Sequence, residues 1–124
     1  MSLIYSQESY VIRGAAFEVY RSMGSGFLES VYQECLAKEF RRRRIPFLEQ
    51  PEVVLYFHDQ PLSHTFRPDF ICFDKVVVEL KAAQSLSEEH RAQLQNYLVA
   101  TRLRLGLLMN FGHYPRMELE RIVR

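Results

Sequence analysis

Apolar residues recur along the first third of the chain with a helical period. Ile12, Ala16, Val19 and Met23 fall at i, i+4, i+7 and i+11, one face of a helix that Gly24 can end. Leu28, Val31, Tyr32, Cys35, Leu36 and Phe40 give a second helix a wider stripe. It runs into Arg41-Arg42-Arg43-Arg44, cations where the C-terminal end of the helix dipole favours them, and Pro46 stops it. The period then changes. Val53, Leu55 and Phe57 alternate with Val54, Tyr56 and His58, which predicts a strand with both faces at least partly covered. Asp59-Gln60-Pro61 turns the chain, and Ser63 to Cys72 reads as the next strand. Phe73-Asp74-Lys75 then connects to Val76-Val77-Val78-Glu79-Leu80-Lys81, the clearest strand in the sequence. A third helix starts near Ser85 or Ser87, with Ser85 and Glu88 at capping-box spacing, and buries Leu94, Tyr97, Leu98 and Thr101. Leu103 to Phe111 is almost continuously apolar, as in the middle of a sheet, and Met117 to Val123 predicts a last strand or edge. The order ααβββαβ(β) predicts an α/β or α+β domain with a mixed sheet.

Composition narrows the function classes. The 124 residues (14.7 kDa) suit one domain over 1–124, with no repeat, linker or low-complexity stretch. Apolar residues at 48% and charged residues at 25% exclude a disordered or collagen-like chain. Sixteen Lys and Arg against fifteen Asp and Glu leave a formal charge of +1, so any grip on nucleic acid or an acidic membrane must come from a local patch. Cys35 and Cys72 are too few for a disulfide scaffold and read as packing residues. His58, His64, His90 and His113 lack zinc-ligand spacing. No apolar run approaches the roughly 20 residues of a membrane span. Met1-Ser2-Leu3-Ile4-Tyr5 lacks a signal peptide's basic start and long apolar stretch. The expectation is a small soluble cytoplasmic domain with no membrane partner.

The candidate chemistry lies where charge interrupts the strands. Glu79 and Lys81, two apart, share a face, while Val76, Val78 and Leu80 point the other way. An acid at the end of a buried strand is costly unless it is paired or bound to a metal. The preceding strand carries Arg67-Pro68-Asp69-Phe70, another acid within an apolar run. Asp69 lies opposite Glu79 if Cys72 pairs with Val76 across a three-residue loop. A tight two-residue turn without a bulge would put Asp69 on the wrong face, and the sequence leaves both open. Two carboxylates meeting beside a lysine are what metal-assisted phosphodiester hydrolysis requires. The lysine can orient the attacking water or neutralise charge on the phosphate.

Pro68-Asp69, nine residues and then Glu79-Leu80-Lys81 resemble the signature of the PD-(D/E)XK nuclease superfamily. Gly26-Phe27-Leu28-Glu29-Ser30-Val31-Tyr32 is similar to the motif of the GxxExxY protein family, a branch of that superfamily. Val78-Glu79-Leu80-Lys81-Ala82, Gln93-Leu94-Gln95-Asn96-Tyr97-Leu98 and Gly106-Leu107-Leu108-Met109-Asn110-Phe111-Gly112 extend the resemblance from about Ile12 to Val123. It implies a restriction-endonuclease-like core, a central mixed β-sheet flanked by helices, with an acidic site at one sheet end. It further implies Asp69 and Glu79 as ligands of Mg²⁺ or Mn²⁺, Lys81 as catalytic lysine and Glu29 as an additional carboxylate. Gln93 and Tyr97 would face the substrate or support the lysine, and the substrate would be DNA, possibly structured or branched. By analogy with small nucleases of the superfamily, a homodimer is expected.

Each residue also has a plainer reading. If Gly26 is an N-cap, Glu29 stands at the third helical position, where an acid caps the first turn. Asp69, Glu79 and Lys81 could form an exposed strand end with a solvated ion pair. Arg41 to Arg44 could hold a phosphate backbone or simply be a solvated surface. His90, three residues before Gln93, lies within a helical turn of it and is a third substrate-side candidate. Tyr32 and Tyr97 sit on apolar stripes and suit core positions with bonded hydroxyls. Asn110, in a central strand, needs a partner that the sequence does not name. The rival to a nuclease is a non-catalytic interaction module that keeps the fold as a scaffold, which the near-neutral charge favours.

Overall fold

The computed structural model describes residues 3–124. Met1 and Ser2, the first residues of the stretch that lacks a signal-peptide pattern, lie outside the described residues. Two helices come first, α1 (Ser6–Met23) and α2 (Glu29–Arg42). Five strands follow: β1 (Phe47–Glu49), β2 (Val53–Phe57), β3 (Gln60–Phe66), β4 (Phe70–Cys72) and β5 (Val76–Lys81). Helix α3 (Glu88–Thr101), β6 (Leu105–Asn110) and β7 (Glu118–Val123) complete the fold. The main sheet runs β1-β4-β5-β6-β7, with β5 and β6 parallel and the other pairs antiparallel, while β2 and β3 form a separate ribbon. This is the mixed sheet flanked by helices that the sequence predicts.

The sheet separates two cores, and alternation along β5 decides which side chain enters each. Val76, Val78 and Leu80 pack with Ile12, Val19, Leu36 and Phe40 under α1 and α2. Val77 packs with Leu94, Leu98 and Leu108 under α3. Glu79 and Lys81, in phase with Val77, therefore belong to the α3 face. Gly24 ends α1 at φ 75, a left-handed value that suits glycine. Among the described residues no helix is long and apolar enough to cross a membrane.

Several expectations need correction. The stretch from Ser63 to Cys72 is two strands rather than one. Pro68 has no N–H to continue a ladder, so β3 stays with the ribbon while β4 joins the main sheet. The turn before β3 falls at His58 and Asp59, both at positive φ, and Gln60 and Pro61 are already strand. Strand β1 has no counterpart among the predicted elements. It has one inward aromatic, Phe47, which meets the Phe40 and Phe70 rings at 5.5 and 5.6 Å, too short a pattern to register as a strand. Ribbon strand β2 is not covered on both faces: Tyr56 and Phe57 are 63% and 65% exposed. Leu28 is not in the α2 stripe but is its exposed N-cap, so Gly26 is not the cap and Glu29 is the first helical residue. The capping box of α3 uses Ser87 and His90, not Ser85 and Glu88. Tyr32 fulfils the core reading: it is fully buried and its hydroxyl donates to the Gly24 carbonyl.

Candidate active site

The pairing of β4 with β5 builds the site. Cys72 stands opposite Val76 and Phe70 opposite Val78. One residue beyond that ladder, Asp69 comes level with Glu79, the three-residue-loop register of the two the sequence allows. The loop closes because Phe73 and Asp74 both take left-handed backbone, at φ 58 and 55, and the Lys75 N–H donates to the Cys72 carbonyl.

The two carboxyl groups are tied together through main chain. Glu79 Oε1 accepts the Asp69 backbone N–H at 2.9 Å, and Asp69 Oδ2 accepts the Leu80 N–H at 2.7 Å. Glu79 is 5% exposed and Asp69 half-buried. The Asp69 carbonyl accepts from the Gln50 N–H at 3.0 Å and the Gln33 side-chain amide at 3.3 Å, which fixes the bend after Pro68. Burial raises the Asp69 pKa, against the opposing Leu80 hydrogen bond. Burial raises Glu79 much further, with the Asp69 charge as second cause. Burial and the repulsion between them both disfavour charging the two acids together.

The remaining candidates arrive from two helices. Lys81 is half-buried, and its ammonium donates to Gln93 Oε1 at 3.0 Å. Tyr97, one helical turn beyond Gln93, stacks on Phe66 at 4.4 Å between ring centroids. Its hydroxyl pKa is raised by burial first, then by the Glu79 and Asp69 charges, so it lies within their field. Glu29 is exposed as a residue, yet its carboxyl pKa is raised by desolvation first and the Asp69 charge second, with Lys81 opposing. The fold thus bonds Glu79 to Asp69 and Lys81 to Gln93, and brings Lys81, Glu29 and Tyr97 within the field of the carboxylates. His90 is differently engaged: its Nδ1 accepts the Ser87 N–H in the helix cap.

Sequence reasoning missed Gln33 and Phe66. Gln33 follows Glu29 by four residues, a helical spacing that would have placed both on one face. Phe66 gives no sequence signal, since its partner Tyr97 is far along the chain. The larger surface grooves lie away from these groups. One of about 530 Å³, between the ribbon and the second half of α3, is lined by Leu55, Tyr56, Asn96 and Val99 and by none of the site residues.

Among the described residues no three His, Cys, Asp or Glu side chains converge as a ready-made ligand set. The Asp69–Glu79 pair alone fits a hard divalent ion. Its donors are carboxylate oxygens with raised proton affinity, and Mg²⁺ commonly binds through one or two carboxylates while keeping waters. No curated protein and no solved structure matches this chain. Comparison with protein families does give a match, over residues 6–122, from the first residue of α1 to the next-to-last of β7. With that match and this sheet, the chain belongs to the PD-(D/E)XK nuclease superfamily.

Proposed function

We propose that this protein is a divalent-metal-dependent nuclease of the GxxExxY branch that hydrolyses phosphodiester bonds in DNA. The observation that carries this reading is the pair of bonds at one strand end, Glu79 accepting the Asp69 N–H and Asp69 accepting the Leu80 N–H, with Lys81 two residues beyond Glu79 on the same face. Asp69 and Glu79 hold Mg²⁺ or Mn²⁺, and Glu29, at the start of α2, adds an outer carboxylate. A bound ion there lowers the pKa of a water and offsets charge on the phosphate. Lys81, oriented by Gln93, turns its ammonium to the attacking water or to the phosphate oxygens. Tyr97 closes the α3 side against Phe66, which limits water on that side of the carboxylates. His90 lies at the edge of the substrate surface, at the start of the helix that carries Gln93. A homodimer would present a second site to the opposite strand.

The test is a cleavage assay on plasmid, linear, branched and single-stranded DNA, and on RNA, with Mg²⁺ or Mn²⁺, beside Lys81→Ala. Metal-dependent cutting that falls by about 10²–10³-fold in Lys81→Ala is expected. Cutting retained in that variant would overturn the assignment of Lys81. No cutting of any substrate, with no metal binding, would favour the scaffold reading.

A further inference from the structure

Asn110 is a fully buried amide at the end of β6, a strand whose other residues, Leu105 to Met109, are apolar or glycine. Every bond this amide can make is made. Its Oδ1 accepts from the Ala83 N–H at 3.0 Å and the Gly112 N–H at 3.1 Å. Its Nδ2 donates to the Ala83 carbonyl at 2.9 Å and to Glu118 Oε1 at 2.8 Å. Glu118 Oε1 also accepts the Leu86 N–H at 2.9 Å. Lys81, Asn110 and Glu118 stand side by side in register on β5, β6 and β7. Gly112 closes the arrangement, since a Cβ there would lie 2.6 Å from the Ala83 N and O. The segment held is the crossover from Lys81 to α3, gripped at Ala83 just after Lys81 and at Leu86 just before the helix that brings Gln93. The Lys81 carbonyl is itself bonded by the Phe111 N–H at 2.9 Å.

We propose that Asn110, with Glu118 and Gly112, forms a positioning latch that fixes Lys81 against Gln93. A hydrophobic side chain would satisfy β6 as packing. A saturated amide contacting the crossover backbone on both its N–H and C=O instead sets the distance between strand end and helix start. The inference rests on reading Lys81 as the lysine of the site.

The chain has three lysines, Lys38, Lys75 and Lys81, so brief acetylation of the full chain, read by mass spectrometry, reports each one separately. In the unaltered protein Lys81 should react slowest. Asn110→Ala, Gly112→Ala and Glu118→Ala should each raise the Lys81 to Lys75 ratio by about fivefold, the change expected when one net hydrogen bond of restraint is lost. Glu118→Gln should leave the ratio unchanged, because its amide oxygen still accepts both bonds. An unchanged ratio in a cooperatively folding Asn110→Ala or Glu118→Ala protein overturns the proposal. So does an equal rise at Lys75, which marks general loosening. If Asn110→Ala does not fold, the Gly112 and Glu118 variants decide. Where cleavage is measurable, kcat should fall with KM unchanged. Absence of cleavage in the unaltered protein would overturn the nuclease reading while leaving the labelling ratio to judge the latch.

Discussion

The two ends of the central sheet handle charge in opposite ways. At the Asp69–Glu79 end, acids enter the fold, and burial raises the proton affinity of both even though backbone N–H groups bond them. At the other end, where β1 and the β4–β5 turn meet, four successive arginines close α2 and stay at the surface. Arg42 and Arg43 both pair with Glu39, at 2.7 and 2.6 Å, and Arg41 lies 4.0 Å from Glu49. The arginine run is the most conspicuous charged feature in the sequence, yet ion pairs made by arginines at the surface are worth little. The carboxylates are quieter in the sequence and far costlier in the structure. Burial against bonding capacity, rather than charge density, separates a site from a surface.

The sharpest way to test that contrast is with metal. At about a hundredfold excess over Kd, Mn²⁺ should stabilise the protein by about 2.7 kcal/mol, read as a rise in Tm. Asp69→Asn or Glu79→Gln should abolish the rise, and Arg42→Ala should keep it. A rise that survives in Glu79→Gln would place the ion elsewhere.

A smaller effect appears without metal. Burial, and the Asp69 charge after it, raise the Glu79 carboxyl above its open-chain pKa, so between the two values the folded protein binds more protons than the unfolded one. Stability is therefore fullest below the open-chain pKa, as far as this group is concerned, and declines as pH rises through the raised one. Denaturant midpoints across that window should fall in the metal-free protein and flatten in Glu79→Gln. A midpoint that rises with pH in both proteins would break the assignment.

The smallest effect belongs to the arginines. Arg42→Ala with Arg43→Ala should move Tm little, and the difference should vanish in high salt. A marked loss of stability would show that this end is structural after all.

Much of this was legible because it is local. Alternation alone put Glu79 and Lys81 on one face, and the choice of loop length reduced the meeting of Asp69 with Glu79 to one of two registers. The third helix placed Gln93 and Tyr97 one turn apart, and the family signature joined them to the strands. What was not legible depends on distant pairings. Asn110 takes its bonds from Ala83 and Glu118, Gln33 from Asp69 and Glu49, and Phe66 from Tyr97. No spacing rule connects those positions. The break at Pro68 could have been read, since a proline inside a long strand already argues against continuity.

The turn Phe73-Asp74-Lys75 lies at the opposite end of the hairpin from the carboxylates, with Asp74 and Lys75 exposed. Surface turns ordinarily accept insertions and deletions freely. This one cannot change by a single residue and keep its neighbours in step, because one residue of slip inverts every side chain on the shorter strand. Asp69 would then face α1 and α2, and the site would vanish with all of its residues intact. The length of a solvent-facing turn thus matters to the site as much as the acids themselves, and a chain altered only there would still look complete when read motif by motif.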